Sequence, residues 1–173
     1  YSRKDFAAAR DAIQQLERVA PDNLRSLLLA GKIDYQLGSF AAAETNLIKV
    51  LRRAPGHMGA RSLLVDTYLR MDRPDKAVDV LKPVLGYIET DPVLLALAGE
   101  AYLRSGQPAE AAKYFSKSVA LDPKSLGGQL GLVTSHFAEG QTETAFRELE
   151  SAAAESSETQ ADLFLIRSLL ARR

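Results

Sequence analysis

Residues 92–123 read PVLLALAGEAYLRSGQPAEAAKYFSKSVALDP, two helical stretches joined by a tight turn. Leu95, Ala98, Gly99 and Tyr102 recur at i, i+3, i+4 and i+7, one face of a helix with 3.6 residues per turn. Ala111, Phe115 and Ser118 form the facing stripe of the second helix. Gly106 suits a left-handed helix end, which costs other residues energy. Pro108 suits the first turn of the next helix, where its missing N–H is no loss. Asp122-Pro123 closes the stretch, because a residue before proline is pushed out of the helical region.

The stretch repeats with a period of 34. Gly38, Asp72, Gly106 and Gly140 keep that spacing, as do Ala9, Ala43, Ala77, Ala111 and Ala145. Pro21, Pro55 and Pro123 fit it, with Glu89 and Ser157 at the missing beats, and Ile13, Leu47, Leu81, Phe115 and Leu149 make a fourth series. A fixed period of this length is the mark of a solenoid. The sequence therefore predicts a lone second helix over residues 4–20, full repeats at 24–57, 58–91, 92–125 and 126–159, and a lone first helix at 160–171. Both ends fall in mid-unit, so the expectation is a piece of a longer solenoid. The expected fold is all-α: a right-handed superhelical solenoid of antiparallel helix pairs. The alanine series, with Gly31 and Gly99 on the first helices, lets the pairs approach closely, while Val65 and Val133 fill the same slots with more bulk. Pro83 removes a bond to the carbonyl of Asp79 and predicts a kink in the second helix of 58–91.

Composition narrows the function classes. Lys+Arg and Asp+Glu each number 22, so the formal charge is zero and the basic excess of a nucleic-acid binder is missing. Residues 1–87 hold 14 basic and 10 acidic side chains and residues 88–173 hold 8 and 12, a weak polarity that also fits two mildly uneven solvated surfaces. No 18-residue apolar run spans a membrane, and the opening YSRKDFAAAR has no secretory leader pattern. Without cysteine there is no disulfide and no thiolate metal site. His57 lies in a Pro-Gly-His turn, and His136 takes the slot of Tyr68 and Tyr102, a packing position. The phosphate-binding glycine motifs are missing. Gly127 and Gly128 are read as points of close approach between neighbouring units. No catalytic residues, metal or cofactor are expected.

A 34-residue helix pair with Leu95, Ala98-Gly99, Tyr102, Gly106, Ala111, Phe115 and Pro123 resembles the tetratricopeptide motif over essentially the whole chain. Residues 27–47, 60–86 and 94–123, with the tail QADLFLIRSLLARR, are also similar to the tetratricopeptide lipoprotein family PrsT of the exosortase/PEP-CTERM system. That resemblance implies a bacterial, periplasm-facing or outer-membrane-associated scaffold with a lipid anchor. It would serve exopolysaccharide production or export, or the sorting of exported proteins.

Stacked repeats turn one side of each first helix toward a concave groove, the usual binding face of a solenoid. The candidate groove residues are Lys32, Tyr35, Gln36, Asp66, Arg70, Glu100, Arg104, Phe137 and Phe164. Leu28, Ser62, Leu69, Ala96, Leu103, Leu130, Thr134, Ala138 and Ser168 share the face. Arg70 and Arg104 could clamp a carboxylate, or each could pair with Asp66 or Glu100 four residues earlier. Tyr35, Phe137 and Phe164 are candidate apolar anchors, with packing between units the alternative for the two phenylalanines. The lysine–asparagine pair of carboxylate-clamp co-chaperone domains is not present at Leu28 and Lys32, Ser62 and Asp66, or Ala96 and Glu100. Three readings follow: a protein-binding scaffold with a protein or peptide in the groove, a polysaccharide-binding module, or a structural spacer. Apolar faces at Ile13, Leu16, Ile166 and Leu170 add an expectation of end-to-end self-association.

Overall fold

Four first helices, α1 (Leu24–Gln36), α3 (Met58–Arg70), α5 (Pro92–Arg104) and α7 (Leu126–Ala138), begin and end 34 residues apart in the computed structural model. It describes residues 23–155 and the single positions 8, 11, 15 and 18. The second helices α2 (Phe40–Arg53), α4 (Pro74–Leu81), α6 (Pro108–Leu121) and α8 (Thr142–Glu155) begin with the same step. The lone helices expected at 4–20 and 160–171, with Ile13, Leu16, Phe164, Ile166 and Leu170, lie outside the described residues apart from those single positions.

Each first helix starts on a side-chain cap at positions 23, 57, 91 and 125. Asn23 and Asp91 each accept two backbone N–H groups, and Ser125 accepts that of Gly128. His57 does the same work through Nδ1, 3.1 Å from the Ala60 nitrogen, a role the sequence reading did not give it. Four different side chains thus satisfy donors that a helix start would otherwise leave orphaned. Each first helix also ends alike. Gly38, Asp72, Gly106 and Gly140 have φ of 74°, 54°, 76° and 78°, the only positive values among the described residues. The next residue's N–H then reaches back to the carbonyl of Asp34, Tyr68, Tyr102 or His136 at 2.8–2.9 Å, the Schellman closure.

The second helices differ at one place. Three run 14 residues, whereas α4 stops after 8 and Lys82–Val84 continue as a 3-10 turn. Pro83 has no N–H to offer the Asp79 carbonyl, and the outcome is a break in the α-helix rather than the expected kink. Arg61, only 7% exposed, supplies donors nearby. Its Nη1 reaches the Val80 carbonyl at 2.5 Å and its Nη2 the Pro55 carbonyl at 2.6 Å. Burial lowers its pKa from the usual guanidinium range.

The chain divides into two compact units, residues 1–81 and 82–173. In the first, α1 packs on α2, α2 on α3 and α3 on α4, and α1 also lies beside α3. In the second, α5, α6, α7 and α8 pack in the same succession, with α5 beside α7. Ala43, Ala77, Ala111 and Ala145 are fully buried, as are Leu47, Leu81 and Leu149. A Cβ added to Gly31 would lie 3.0 Å from Leu47, and one added to Gly99 would lie 2.8 Å from the Phe115 ring. The expectation for the other glycines needs correction. A Cβ at Gly128 would approach Val119 (3.2 Å), but Gly127 faces open space, and the tightest approach belongs to Gly131, where a Cβ would overlap the Phe115 ring.

Candidate functional site

The first-helix faces carry the residues that the sequence nominates, and each unit has its own. In the first unit, α1 presents Lys32 and Gln36 to solvent, and Tyr35 is half-buried between them. The Tyr35 ring meets Phe40 edge-on at 5.7 Å, and its hydroxyl donates to Asp66 Oδ2 on α3. Asp66 Oδ1 also stands 3.6 Å from Nε of Arg70, which is exposed. A polar chain, Tyr35–Asp66–Arg70, therefore crosses from α1 to α3. Burial first, and then the bond to the Asp66 carboxylate, raise the Tyr35 phenol above its usual pKa of 10.0.

In the second unit, Glu100 and Arg104 on α5 stand 3.6 Å apart, the same i,i+4 arrangement. Such surface pairs contribute about 0.3–0.5 kcal/mol. Beside them lies an open hollow of ≈ 400 Å³ between α5 and α7. Ala96, Leu97, Glu100 and Leu103 line it from α5, and Leu130, Gly131 and Thr134 from α7. The Phe115 ring forms its floor, and Val93, 63% exposed, stands at the rim. Ala96, Glu100, Leu103, Leu130 and Thr134 are thus residues of the expected groove face that the fold brings around one space. Arg104 does not line it. Phe137 does not either: it is half-buried against Val133, Ala145 and Leu149 and meets Phe146 edge-on at 5.2 Å. Phe164 lies outside the described residues.

A second recurring station, at residues 34, 68, 102 and 136, holds the pairs together by varied chemistry. Asp34 accepts from Asn46 at 3.2 Å, and Tyr102 stacks on Tyr114 with centroids 5.2 Å apart. His136 Nδ1 sits 2.8 Å from Glu148 Oε2, so its packing role includes a polar partner on α8. Tyr68 donates to Glu44 at 3.0 Å, with the Lys76 ammonium 5.5 Å from its ring centroid. Burial and the Glu44 carboxylate push the Tyr68 phenol up to about 12.

Among the described residues, no group of three or more His, Asp or Glu could hold a metal ion. No helix among them is long and apolar enough to cross a membrane.

Two family models, each described as tetratricopeptide repeat, match residues 35–101 and 92–125. The crystal structure of the MamA protein is similar to this chain at 18% identity, with a TM-score of 0.81 over 91% of this chain and 86% of that one. MamA 41-end from Desulfovibrio magneticus RS-1 is 22% identical, with a TM-score of 0.81 over 96% and 88%. TTC0263, a thermophilic TPR protein in Thermus thermophilus, is 18% identical, with a TM-score of 0.73 over 95% and 91%. At these identities the likeness speaks for the fold. A search of curated protein sequences gave no match. The repeat is a non-catalytic interaction fold, and a first-helix groove gives it the capacity to bind a protein partner. With residues 35–125 matched by sequence and the 34-residue step kept by every first helix described, this chain belongs to the tetratricopeptide-repeat proteins and has their all-α solenoid fold.

Proposed function

We propose that this chain is a protein-binding scaffold that holds a partner segment in its concave groove, within bacterial exopolysaccharide biosynthesis or export, or exported-protein sorting. The observation that carries the binding half is the hollow between α5 and α7, an unfilled, largely apolar space bordered by the groove-face residues. The biological setting rests on the resemblance of residues 27–47, 60–86 and 94–123 to the PrsT family. A periplasmic or outer-membrane-associated place, with a lipid anchor, belongs to the same proposal. The groove residues are Lys32, Tyr35, Gln36, Asp66, Arg70, Glu100 and Arg104. Polysaccharide binding draws less support, because Phe137 is committed to Phe146 and Tyr35 to Asp66 and Phe40.

The test is a pull-down from the bacterial envelope with the chain, beside an Ala96→Arg, Thr134→Arg double variant that obstructs the hollow from both walls. A protein captured by the parent and lost by the variant is the expected result. A protein held equally by both would move the site off this face. Polysaccharide recovered in place of protein would replace the scaffold reading with the glycan-binding one.

A further inference from the structure

We infer that the hollow between α5 and α7 is a socket for one leucine or methionine side chain of a partner protein segment, with lysine or arginine beside it. This rests on the scaffold reading and narrows it to a sequence type.

At ≈ 400 Å³ the hollow has room for a leucine or methionine side chain together with the stretch of backbone that carries it. Its shape has a cause in the sequence. Positions 29, 63 and 97 are leucine in the other repeats, and position 131 is glycine. The Phe115 ring takes the space beneath Gly131, and Gly127, with nothing within 4 Å of an added Cβ, leaves the mouth clear.

The lining selects against sugars. Thr134 Oγ1 is already turned to the Leu130 carbonyl at 2.7 Å, and Ser125 Oγ accepts the Gly128 N–H at 3.3 Å. The rest of the lining is alanine, leucine, valine, glycine and phenylalanine, so a sugar ring would meet only the Glu100, Ser125 and Thr134 side-chain oxygens and leave its other hydroxyls against apolar walls. The lining does select for positive charge at its edge. Glu100 is the only charged residue that borders the hollow, and its side chain is 49% exposed. Its contact with Arg104 at 3.6 Å is longer than a charge-assisted hydrogen bond, so the carboxylate can take a second cation. A neighbouring lysine or arginine meets that carboxylate, whereas a neighbouring glutamate would be repelled.

The experiment is an NMR titration of the full chain, following the methyl groups of Leu97, Leu103 and Leu130. The probes are the capped peptides Gly-Lys-Leu-Lys-Gly, Gly-Glu-Leu-Glu-Gly and Gly-Lys-Ser-Lys-Gly. The first is expected to shift these methyls and to bind about tenfold more tightly than either of the others. A Cβ at Gly127 meets open space at the edge of the hollow, so Gly127→Leu should fold with a thermal midpoint at or above the parent's and lose the response. Glu100→Gln should keep leucine over serine but lose the preference for flanking lysine. Equal binding of the leucine and serine peptides, or an unchanged response in Gly127→Leu, would overturn the socket. Methyl shifts that depend on protein concentration without peptide would make a second copy the occupant. Shifts produced by an oligosaccharide instead would make it a sugar site. The two readings separate cleanly: a native partner captured equally by parent and Gly127→Leu leaves the scaffold standing and removes the socket. If the parent captures no protein, the scaffold reading itself falls.

Discussion

The first-helix faces of the two units use one backbone plan to opposite ends. In residues 1–81 the face is bridged by its own side chains, as Tyr35 reaches Asp66 and Asp66 faces Arg70. In residues 82–173 a hollow lies between α5 and α7 where the first unit has its bridge. The position of Asp66 is taken by Glu100 and then Thr134, whose hydroxyl turns back to its own helix. A self-bridged face is what a structural spacer needs, and an unfilled one is what a binding surface needs. Repeat identity at the level of packing residues therefore leaves room for a division of labour along one chain.

The comparison can be broken most forcefully at the floor of the hollow. Phe115→Ala is expected to cost about 3–5 kcal/mol, measured as a fall in the urea midpoint with unchanged slope. A loss near zero would mean that the ring is not wedged between Gly99 and Gly131. A sharper contrast comes from two glycines four residues apart on α7. Gly131→Ala drives a Cβ into the ring and should cost about 1–3 kcal/mol, whereas Gly127→Ala meets open space and should stabilise by about 0.4–1 kcal/mol. Equal signs in thermal melts would count against the described packing. The smallest loss is expected in the first unit, where Tyr35→Phe should cost about 0.5–1.5 kcal/mol. Because the folded state raises the Tyr35 pKa, its contribution is full below the unfolded value of 10.0 and is lost as pH rises through the folded one. The phenylalanine variant should show a shallower alkaline decline in stability, seen in unfolding curves taken on both sides of pH 10.

Much of the fold was legible because it is carried by local chemistry that recurs. The left-handed turns at Gly38, Asp72, Gly106 and Gly140 and the buried alanines announce themselves by spacing alone. The fate of the helix at Pro83 was half legible. A missing N–H is visible in sequence, but whether the helix bends or stops depends on what receives the orphaned carbonyls, and Arg61 sits 19 residues from Val80. The candidate site was harder. Periodicity put Ala96, Glu100, Leu103, Leu130 and Thr134 on one face, and they do surround one space. It could not show that the space exists, because a hollow is made by what glycines omit. Tyr35 was nominated as an apolar anchor, yet its hydroxyl is occupied by a carboxylate one repeat away. The break in α4 and the cap at His57 show the same limit: a side chain's partner is not written in its own register.

The ring of Phe115 between Gly99 and Gly131 has a consequence for anyone who would rebuild this protein by averaging its repeats. A consensus would place leucine at position 131, following Leu29, Leu63 and Leu97, and leucine at 115, following Leu47, Leu81 and Leu149. Either change alone sets one member of a matched trio against the others: leucine at 131 collides with the ring, and leucine at 115, though it can pack on Gly99 as Leu47 packs on Gly31, leaves Gly131 facing a gap. Only the joint replacement is self-consistent, and it erases the hollow. Departures from the common pattern are here not noise around a repeat but a second, non-repeating message, readable only when its words are taken together.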